Sequence, residues 1–290
     1  MPVNLPAARQ FIFANARLLD RHRAAVLLDG APAAAVVQAL RAYRNPDGGF
    51  GHALEPDVRT PYSETTAALH GLEVLSEIDA LDDPMVEDVA AWVAGVADPD
   101  GGVPFVLPTA APYPRGPWMV PSDGGSHLTF GLAAVLFTAT VSSDWLDTAT
   151  RWCWARLEQS EELGGYWLKF ALGFLDATPN DAQARATIER LRPLLRADGT
   201  VLVPGGTADE RLTPLTLSPQ PDRRSRALFT DTQLAADLDS LEHGQQDDGG
   251  WTFDFLSWSP GQEVEWRGLV TLRALVTLRA LATLHAHNRL

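Results

Sequence analysis

Two carboxylates close together in the first third of the chain could perform acid–base chemistry. Glu55 and Asp57 are two residues apart, shortly after a glycine-rich segment. Paired carboxylates can divide the roles of general acid and general base, as they do in glycoside hydrolysis. Because Arg59 is only two residues beyond Asp57, the same residues also fit a structural ion pair, and both interpretations stay open.

Other polar groups precede apolar segments that read as helices. His127 stands just before one such segment, where it could act in catalysis or simply be held by a hydrogen bond. Asp254, Glu265 and Arg267 lead into the last apolar segment and are candidates for substrate binding. A spacing of two does not place Glu265 and Arg267 on one face of a helix, although both could point inward from a helix-entry loop.

Composition excludes several classes of function. The net charge of −14 argues against binding nucleic acid or an anionic membrane. Cys153 is the one cysteine, so no intrachain disulfide and no cysteine-rich metal site can form. The N-terminus has no basic region followed by an apolar core, and no run of about 18 apolar residues occurs. We therefore expect a cytoplasmic protein without a transmembrane segment.

Apolar periodicity predicts helices along almost the whole chain. They cover approximately residues 5–20, 32–43, 63–77, 84–97, 126–140, 144–157, 167–177, 179–196, 228–243 and 264–287. Residues at about 199–226 have no clear period and are predicted to form an irregular insertion.

Glycine pairs separate these helices. Segments 45–50 (Asn-Pro-Asp-Gly-Gly-Phe) and 245–251 (Gln-Gln-Asp-Asp-Gly-Gly-Trp) each join two apolar runs. Their glycines allow backbone angles that other residues avoid, and the aspartates can accept hydrogen bonds from nearby amides. Helix pairs recurring about every 45 residues are typical of helical repeat arrays. We predict an all-α protein, a single α/α toroid over residues 1–290 with two concentric rings of helices and one central cavity.

The two glycine-rich segments carry a resemblance to a known superfamily. Segment 245–251 resembles the QW repeat of the squalene cyclase and protein prenyltransferase superfamily, and segment 45–51 resembles its prenyltransferase variant. Segments 50–57 and 265–268 are similar to uncharacterised bacterial proteins described as prenyltransferase-like. The resemblance implies a terpene-cyclase-like toroid that binds an isoprenoid or another apolar molecule in its cavity.

The resemblance also points to one acid. Class II terpene cyclases carry Asp-x-Asp-Asp-Thr-Ala at the start of an inner helix, and aligning this pattern with residues 62–67 places Glu64 at the proton donor. Only one of the three acids is retained, as glutamate. The zinc-binding set of protein prenyltransferases has no counterpart, so the resemblance does not extend to farnesyl transfer to proteins.

Acid-initiated chemistry at Glu64 would need a particular environment. A carboxylic acid that protonates an alkene must be kept neutral by burial, and aromatic rings must face the cation that forms. His52 and His127 are the candidate hydrogen-bond partners of Glu64, and Tyr62, Trp118 and Trp167 are candidate walls. The alternative is that Glu64 merely caps its own helix and meets solvent.

We therefore predict a terpene-cyclase-like isomerase or lyase without a cofactor, with magnesium expected only if the substrate is a prenyl diphosphate. A carbohydrate-active toroid using Glu55 and Asp57, and a non-catalytic ligand-binding toroid, are the alternatives. No protein metal site is predicted, and the apolar last helix is compatible with a monomer or a homodimer.

Overall fold

The computed structural model describes residues 3–159 and 163–287, with side chains as far as residue 281. Contacts between Cα atoms divide the chain into two compact units. The first unit comprises the described parts of Met1–Pro32, Gly164–Lys169 and Ile188–Leu290, and the second comprises Ala33–Leu163 and Phe170–Thr187.

Helices dominate both units, which confirms the predicted all-α class. In chain order the α-helices of the described residues are α1 (Leu5–Asn15), α2 (Leu18–Asp29), α3 (Ala34–Leu40), α4 (Thr65–Glu77), α5 (Met85–Val96), α6 (Leu128–Thr138), α7 (Asp144–Glu158), α8 (Tyr166–Ala177), α9 (Asp181–Leu191), α10 (Pro214–Leu217), α11 (Asp231–His243) and α12 (Pro260–His287). None of these helices combines the length and the apolar character that crossing a bilayer requires.

One five-residue turn occurs four times in the described residues, at 45–49, 98–102, 196–200 and 246–250. In each turn the first N–H donates to the fifth C=O at 2.8 or 2.9 Å, and the fourth N–H donates back to the first C=O. The aspartate at the third position accepts the fifth N–H at 2.9 to 3.1 Å. The fourth residue is always a glycine with φ between +81° and +95°, a region that side chains disfavour.

The aromatic residues that follow two of these turns are buried. Phe50 packs directly against Gly71 of α4, where an added Cβ atom would lie 2.5 Å from the ring. Trp251 is also buried, and its indole N–H donates to the carbonyl of Leu241 at 2.8 Å. Each aromatic residue therefore fixes a turn to a neighbouring helix.

In the first unit α12 packs against α1 and α2. The core between these helices contains Ala8, Ile12, Leu272 and Leu275. Gly268 of α12 allows this approach, because a Cβ atom there would meet the Cβ atom of Ala16 at 2.9 Å. The apolar repeat of the last helix is thus used for packing within this unit.

In the second unit α4 is the helix that neighbouring helices surround. It packs against α5 and α6, and α6 packs in turn against α7. All residues of α4 from Thr65 to Leu72 are buried, together with Val74 and Leu75. A helix that is buried on nearly every side must satisfy its few polar groups internally.

The N-terminal prediction of one helix over residues 5–20 is wrong. Ala16 is extended, with ψ of 157°, and the chain continues as the separate helix α2. Asp20 of α2 is fully buried and paired with Arg17 at 2.8 Å and Arg23 at 2.7 Å. In a sequence, charged residues such as Arg17 and Asp20 often indicate the end of a helix. Here Asp20 instead pairs with both arginines in the interior of the unit.

The segment predicted as an irregular insertion, about 199–226, has more structure than expected. Two short antiparallel strands, β1 (Val201–Leu202) and β2 (Arg211–Leu212), pair with each other and precede α10. Strands of two residues are too short for an alternating pattern to be recognised in the sequence. Whether the chain is a single toroidal domain stays a prediction.

Candidate functional site

Glu64 occupies the N-cap position of α4 and is held there by the backbone. The backbone at Glu64 is extended, and its N–H donates to the carbonyl of Phe50 at 2.8 Å. Because Phe50 directly follows the turn at 45–49, this bond ties the start of α4 to that turn. The turn thereby fixes the position of the Glu64 backbone and so the point from which its side chain extends.

The Glu64 side chain is buried, with 1% of the residue exposed. Its carboxylate accepts a hydrogen bond from the N–H of Leu107 at 3.0 Å and from the hydroxyl of Thr109 at 3.4 Å. Glu64 therefore occupies the N-cap position without meeting solvent, which contradicts the solvent contact of the alternative interpretation.

Burial makes Glu64 an unusually weak acid for a glutamate. Desolvation of the charged form raises its pKa to about 7, although the hydrogen bonds from Leu107, Thr109 and the Thr65 backbone act in the opposite direction. A carboxyl group with this pKa holds its proton in a substantial fraction of molecules near neutral pH. It can therefore donate a proton.

The residues that cover Glu64 belong to one loop, 105–120, which we call the covering loop. Backbone hydrogen bonds attach it to the segment before α4. The N–H of Gly116 donates to the carbonyl of Asp57 at 2.8 Å, and the N–H of Arg59 donates to the carbonyl of Pro114 at 2.9 Å. The loop is thus fixed beside the start of α4 by main-chain bonds.

The covering loop is also stabilised from within. The guanidinium group of Arg115 donates to the carbonyls of Ala111, Tyr113 and Met119, at 2.7, 3.2 and 2.8 Å. The loop also contributes to a buried apolar cluster, against which Phe105 and Trp118 pack. Its members are Val58, Val106, Ala110 and Met119. The loop is therefore held by apolar packing as well as by hydrogen bonds.

Aromatic rings form a stack in the same unit. The ring of His127 lies between those of Phe105 and Phe170, with centroid distances of 4.9 and 5.4 Å. The hydroxyl of Thr65, which follows Glu64, donates to the carbonyl of Phe105 at 2.8 Å. One hydrogen bond therefore links this aromatic stack to the residue next to Glu64.

The predicted histidine partners of Glu64 are not its hydrogen-bond partners in the described residues. His52 is exposed, and its Nε2 atom lies 3.0 Å from the side-chain oxygen of Asn45 in the turn at 45–49. The positive φ of 54° at His52 directs the chain away from the helical region at this point. His127 packs between rings, and Leu107 and Thr109 take the expected histidine positions at the carboxylate.

Glu55 and Asp57 have different surroundings from each other. Glu55 is half-buried, and its Oε2 atom lies 3.5 Å from Nδ1 of His70 in α4. Asp57 is 4% exposed. The sequence analysis did not select His70, although a histidine in the middle of an apolar helix is a signal that could have been noticed.

Tyr62 and Trp118, the proposed walls in this unit, differ in exposure. Tyr62 is 55% exposed and contacts the edge of the Tyr113 ring at a centroid distance of 5.9 Å. Trp118 is half-buried against the apolar cluster. Tyr62 therefore contributes to the surface of the covering loop, and Trp118 contributes to its packing.

The four remaining candidates lie in the first unit. Trp167 is half-buried in α8. Asp254 is exposed, and its carboxylate accepts the N–H of Arg211 at 3.2 Å. The expectation that Glu265 and Arg267 lie in a loop is wrong, because α12 already begins at Pro260.

The side chain of Arg267 is held by contacts with neighbouring residues. Its guanidinium group donates two hydrogen bonds to the carboxylate of Asp248, at 2.7 and 2.8 Å. It also lies over the ring of Phe11 at 4.6 Å from the centroid. Arg267 therefore attaches the turn at 246–250 to α12 and α1. Within the described residues, no three His, Cys, Asp or Glu side chains are grouped so that they could hold a metal ion.

Comparison with solved structures shows the fold. A protein from Actinoplanes of known structure is similar with a TM-score of 0.61 and 16% sequence identity, over 96% of this chain and 98% of that one. A variant of the type II terpene cyclase MstE from Scytonema, in complex with the product merosterolic acid A, is similar with a TM-score of 0.58 and 15% identity, over 96% of both chains.

A second MstE variant, in complex with the substrate geranylgeranyl dihydroxybenzoate, is similar with a TM-score of 0.54 and 13% identity, over 95% of this chain and 96% of that one. The chain therefore has a terpene-cyclase-like fold. Neither a protein-family model nor a curated protein matches the sequence.

Proposed function

We propose that this protein is a terpene-cyclase-like enzyme that cyclises or isomerises an isoprenoid or another apolar small molecule, with Glu64 as the proton donor. The observation that carries the proposal is the buried carboxyl group of Glu64 at the start of α4, with its pKa raised to about 7. A general acid must hold its proton until it donates it to the alkene. Burial in an apolar environment keeps the carboxyl group protonated.

The surroundings of Glu64 support this assignment. Leu107 and Thr109 donate hydrogen bonds that stabilise the carboxylate formed when the proton leaves. Phe105, His127 and Phe170 supply aromatic faces of the kind that stabilise a carbocation. The fold likeness to MstE adds a class of substrate, because those structures contain the substrate geranylgeranyl dihydroxybenzoate and the product merosterolic acid A.

The proposal includes membership of the QW-motif superfamily and a cytoplasmic location. Magnesium is required only if the substrate carries a diphosphate. The carbohydrate-active alternative has less support, because Asp57 is buried and Glu55 lies against His70. The non-catalytic alternative is less consistent with a buried, protonatable carboxyl group.

Product analysis by mass spectrometry tests the proposal. The purified protein is incubated with squalene, linear prenyl diphosphates and geranylgeranyl dihydroxybenzoate, with and without magnesium. The expected result is a product of altered structure that Glu64→Gln abolishes and that Glu87→Gln, an exposed glutamate on α5, leaves unchanged. If Glu64→Gln forms the product at the wild-type rate, Glu64 is not the donor. If a folded protein returns only unreacted substrate, the cyclase assignment fails.

A further inference from the structure

The covering loop separates a buried carboxyl group from solvent by a single layer of protein. Glu64 is 1% exposed, whereas Thr109, whose hydroxyl donates to its carboxylate, is an exposed residue. The N–H of Leu107, two residues earlier in the same loop, donates to the other carboxylate oxygen. Displacement of the loop would therefore remove both hydrogen bonds and bring solvent to the carboxyl group.

The covering loop is built as one compact piece. At its base the N–H of Ser122 donates to the carbonyl of Val106 at 3.3 Å, which brings the two ends of the loop together. Arg115 connects the interior through its bonds to three carbonyl groups. Closed ends and internal bonds are typical of Ω-loops, which frequently have a function. We therefore expect the loop to move as a unit.

Local contacts, rather than a sheet or a long helix, hold the covering loop against the start of α4. Two main-chain hydrogen bonds connect it to the segment before α4, from Gly116 to Asp57 and from Arg59 to Pro114. The apolar cluster around Val58 and the edge contact between two tyrosine rings add to them. A segment held in this way can open at a lower free energy than the whole protein needs to unfold.

The charge on Glu64 changes the stability of the closed loop. Desolvation under the closed loop raises the pKa of Glu64 to about 7, whereas a glutamate in water has its ordinary value of 4.5. The closed form therefore binds the proton more tightly than an open form, and loss of the proton favours opening. The balance is constant below about pH 4.5, shifts toward the open form up to about pH 7, and is constant again above it.

We propose that the covering loop is a lid that opens when Glu64 loses its proton, an inference whose catalytic consequence rests on the proposed role of Glu64 as donor. A neutral Glu64 leaves the lid closed over the site. While a carbocation is present, its positive charge balances the carboxylate that has formed. Once the cation has lost a proton from carbon to water, the carboxylate is a buried charge that its surroundings no longer compensate, and the lid opens.

Opening of the lid completes the catalytic cycle. The product leaves, and the exposed Glu64 carboxylate takes one proton from solvent. One proton has then been lost to water and one has been gained, so the protein returns to its starting state. The neutral carboxyl group can be buried again at lower cost, and the lid closes over the next substrate.

Other titratable and charged groups lie in the segments around Glu64, and the test must separate them from it. They are Asp47 and His52 in and after the turn at 45–49, Glu55, Asp57, Arg59 and Tyr62 before α4, His70 in α4, Tyr113 and Arg115 in the loop, and His127 before α6. Histidines ordinarily titrate between pH 4.5 and 8. Because Glu64→Gln leaves all of these groups in place, the difference between wild type and this variant reports Glu64 alone.

Amide hydrogen exchange measures opening of the lid without any substrate. The N–H groups of Leu107, Gly116 and Arg59 bond the closed loop, so each exchanges with solvent deuterium when the loop opens. Dividing each rate by that of an unstructured peptide at the same pH removes the ordinary pH dependence of exchange. From pH 4.5 to pH 8 this ratio should rise on the order of 10²-fold in the wild type and stay constant in Glu64→Gln. Amides at the ends of α1, which exchange by local fraying, should show no rise.

A reversible cross-link separates movement of the lid from general loosening of the protein. Val58 and Arg115 face each other in an isolated antiparallel bridge, flanked by the two main-chain hydrogen bonds. Paired Cα atoms at such a position are about 4.5 Å apart, within the range that a disulfide spans. With Val58→Cys and Arg115→Cys combined, the oxidised protein should exchange the Leu107 and Gly116 amides slowly at every pH. Reduction of the same sample should restore the pH-dependent rise.

Three results would overturn the lid. They are a ratio that does not change with pH in the wild type, a rise of equal size in Glu64→Gln, and a rise that persists in the oxidised cross-linked protein. Circular dichroism checks folding, and the comparison of wild type with Glu64→Gln decides the matter if the cross-linked variant does not fold.

The donor role of Glu64 is tested separately, by product formation in wild type and Glu64→Gln, so failure of the lid leaves it intact. Conversely, a rise that depends on Glu64 in a protein that forms no product would support the coupling of the lid to Glu64 and reject the cyclase assignment.

Discussion

The buried carboxyl group of Glu64 should make the stability of the protein depend on pH in a defined direction. The pKa of Glu64 is about 7 in the folded protein, against the ordinary glutamate value of 4.5 in the unfolded chain. Between these two values the folded state holds a proton that the unfolded state has lost. The free energy of unfolding therefore falls as the pH rises from about 4.5 to 7, and this contribution is constant outside that window.

The magnitude follows from the size of the shift. One pKa unit corresponds to about 1.36 kcal/mol, so a shift of this size costs about 3 kcal/mol above pH 7. Glu64→Gln removes the titration, because an amide stays neutral. An amide can still accept the Leu107 N–H, and the Thr109 hydroxyl can turn to accept from the amide nitrogen.

Urea unfolding of the wild type and Glu64→Gln at pH 4.5 and pH 8 gives four free energies. We expect the difference between variant and wild type to increase by about 3 kcal/mol in favour of the variant from the lower to the higher pH. Glu87→Gln serves as the control and should show no such increase. Equal differences at both pH values would refute the buried, high-pKa carboxyl group.

Three further predictions concern neighbouring features. Thr109→Val removes one hydrogen-bond donor to the Glu64 carboxylate, so the pKa of Glu64 should rise further. The rise should be less than one pH unit, because such a bond is worth about 1 kcal/mol. A fall in this pKa, measured by ¹³C titration, would contradict the prediction. Gly71→Ala should destabilise the protein by about 1 to 3 kcal/mol because its methyl group meets the Phe50 ring, whereas Gly95→Ala in α5 meets no atom within 4 Å and should stabilise it by up to about 1 kcal/mol. Thermal melting distinguishes the two glycines, and equal effects would count against the described packing. Arg267→Lys loses the bidentate hydrogen bonds to Asp248. The free energy of unfolding should fall by about 1 kcal/mol or less, since the carboxylate is half exposed. Loss of folding would show that this contact contributes more than its exposure implies.

Helix positions and glycine turns could be predicted from the sequence because both depend on local patterns. The apolar runs and the Asp-Gly-Gly segments gave helices and turns close to those described for α4 to α8. The break at Ala16 was missed because the apolar pattern continues across it, although the backbone at Ala16 is extended. The start of α12 was placed four residues too late because residues 260–263 have little apolar character.

The candidate site could be predicted less completely. Glu64 was selected by aligning residues 62–67 with the acidic pattern of class II terpene cyclases, but its hydrogen-bond partners were not predicted. Leu107 contributes a backbone N–H, which no side-chain pattern reveals, and it lies 43 residues away in the chain. Thr109 and the covering loop are brought to Glu64 by packing of Val58, Val106 and Met119, which is a contact between distant segments. The assignment of His52 failed because its positive φ and its bond to Asn45 are properties of the folded turn.

In the recurring five-residue turn, very few positions determine the direction of the chain. Its three hydrogen bonds are all internal, and they require only an aspartate at the third position and a glycine at the fourth. Each turn is therefore closed by its own backbone and one aspartate, while contacts such as that of Arg267 with Asp248 fix it to its surroundings. A chain that keeps these two positions retains the internal hydrogen bonds of the turn, whichever residues occupy the others.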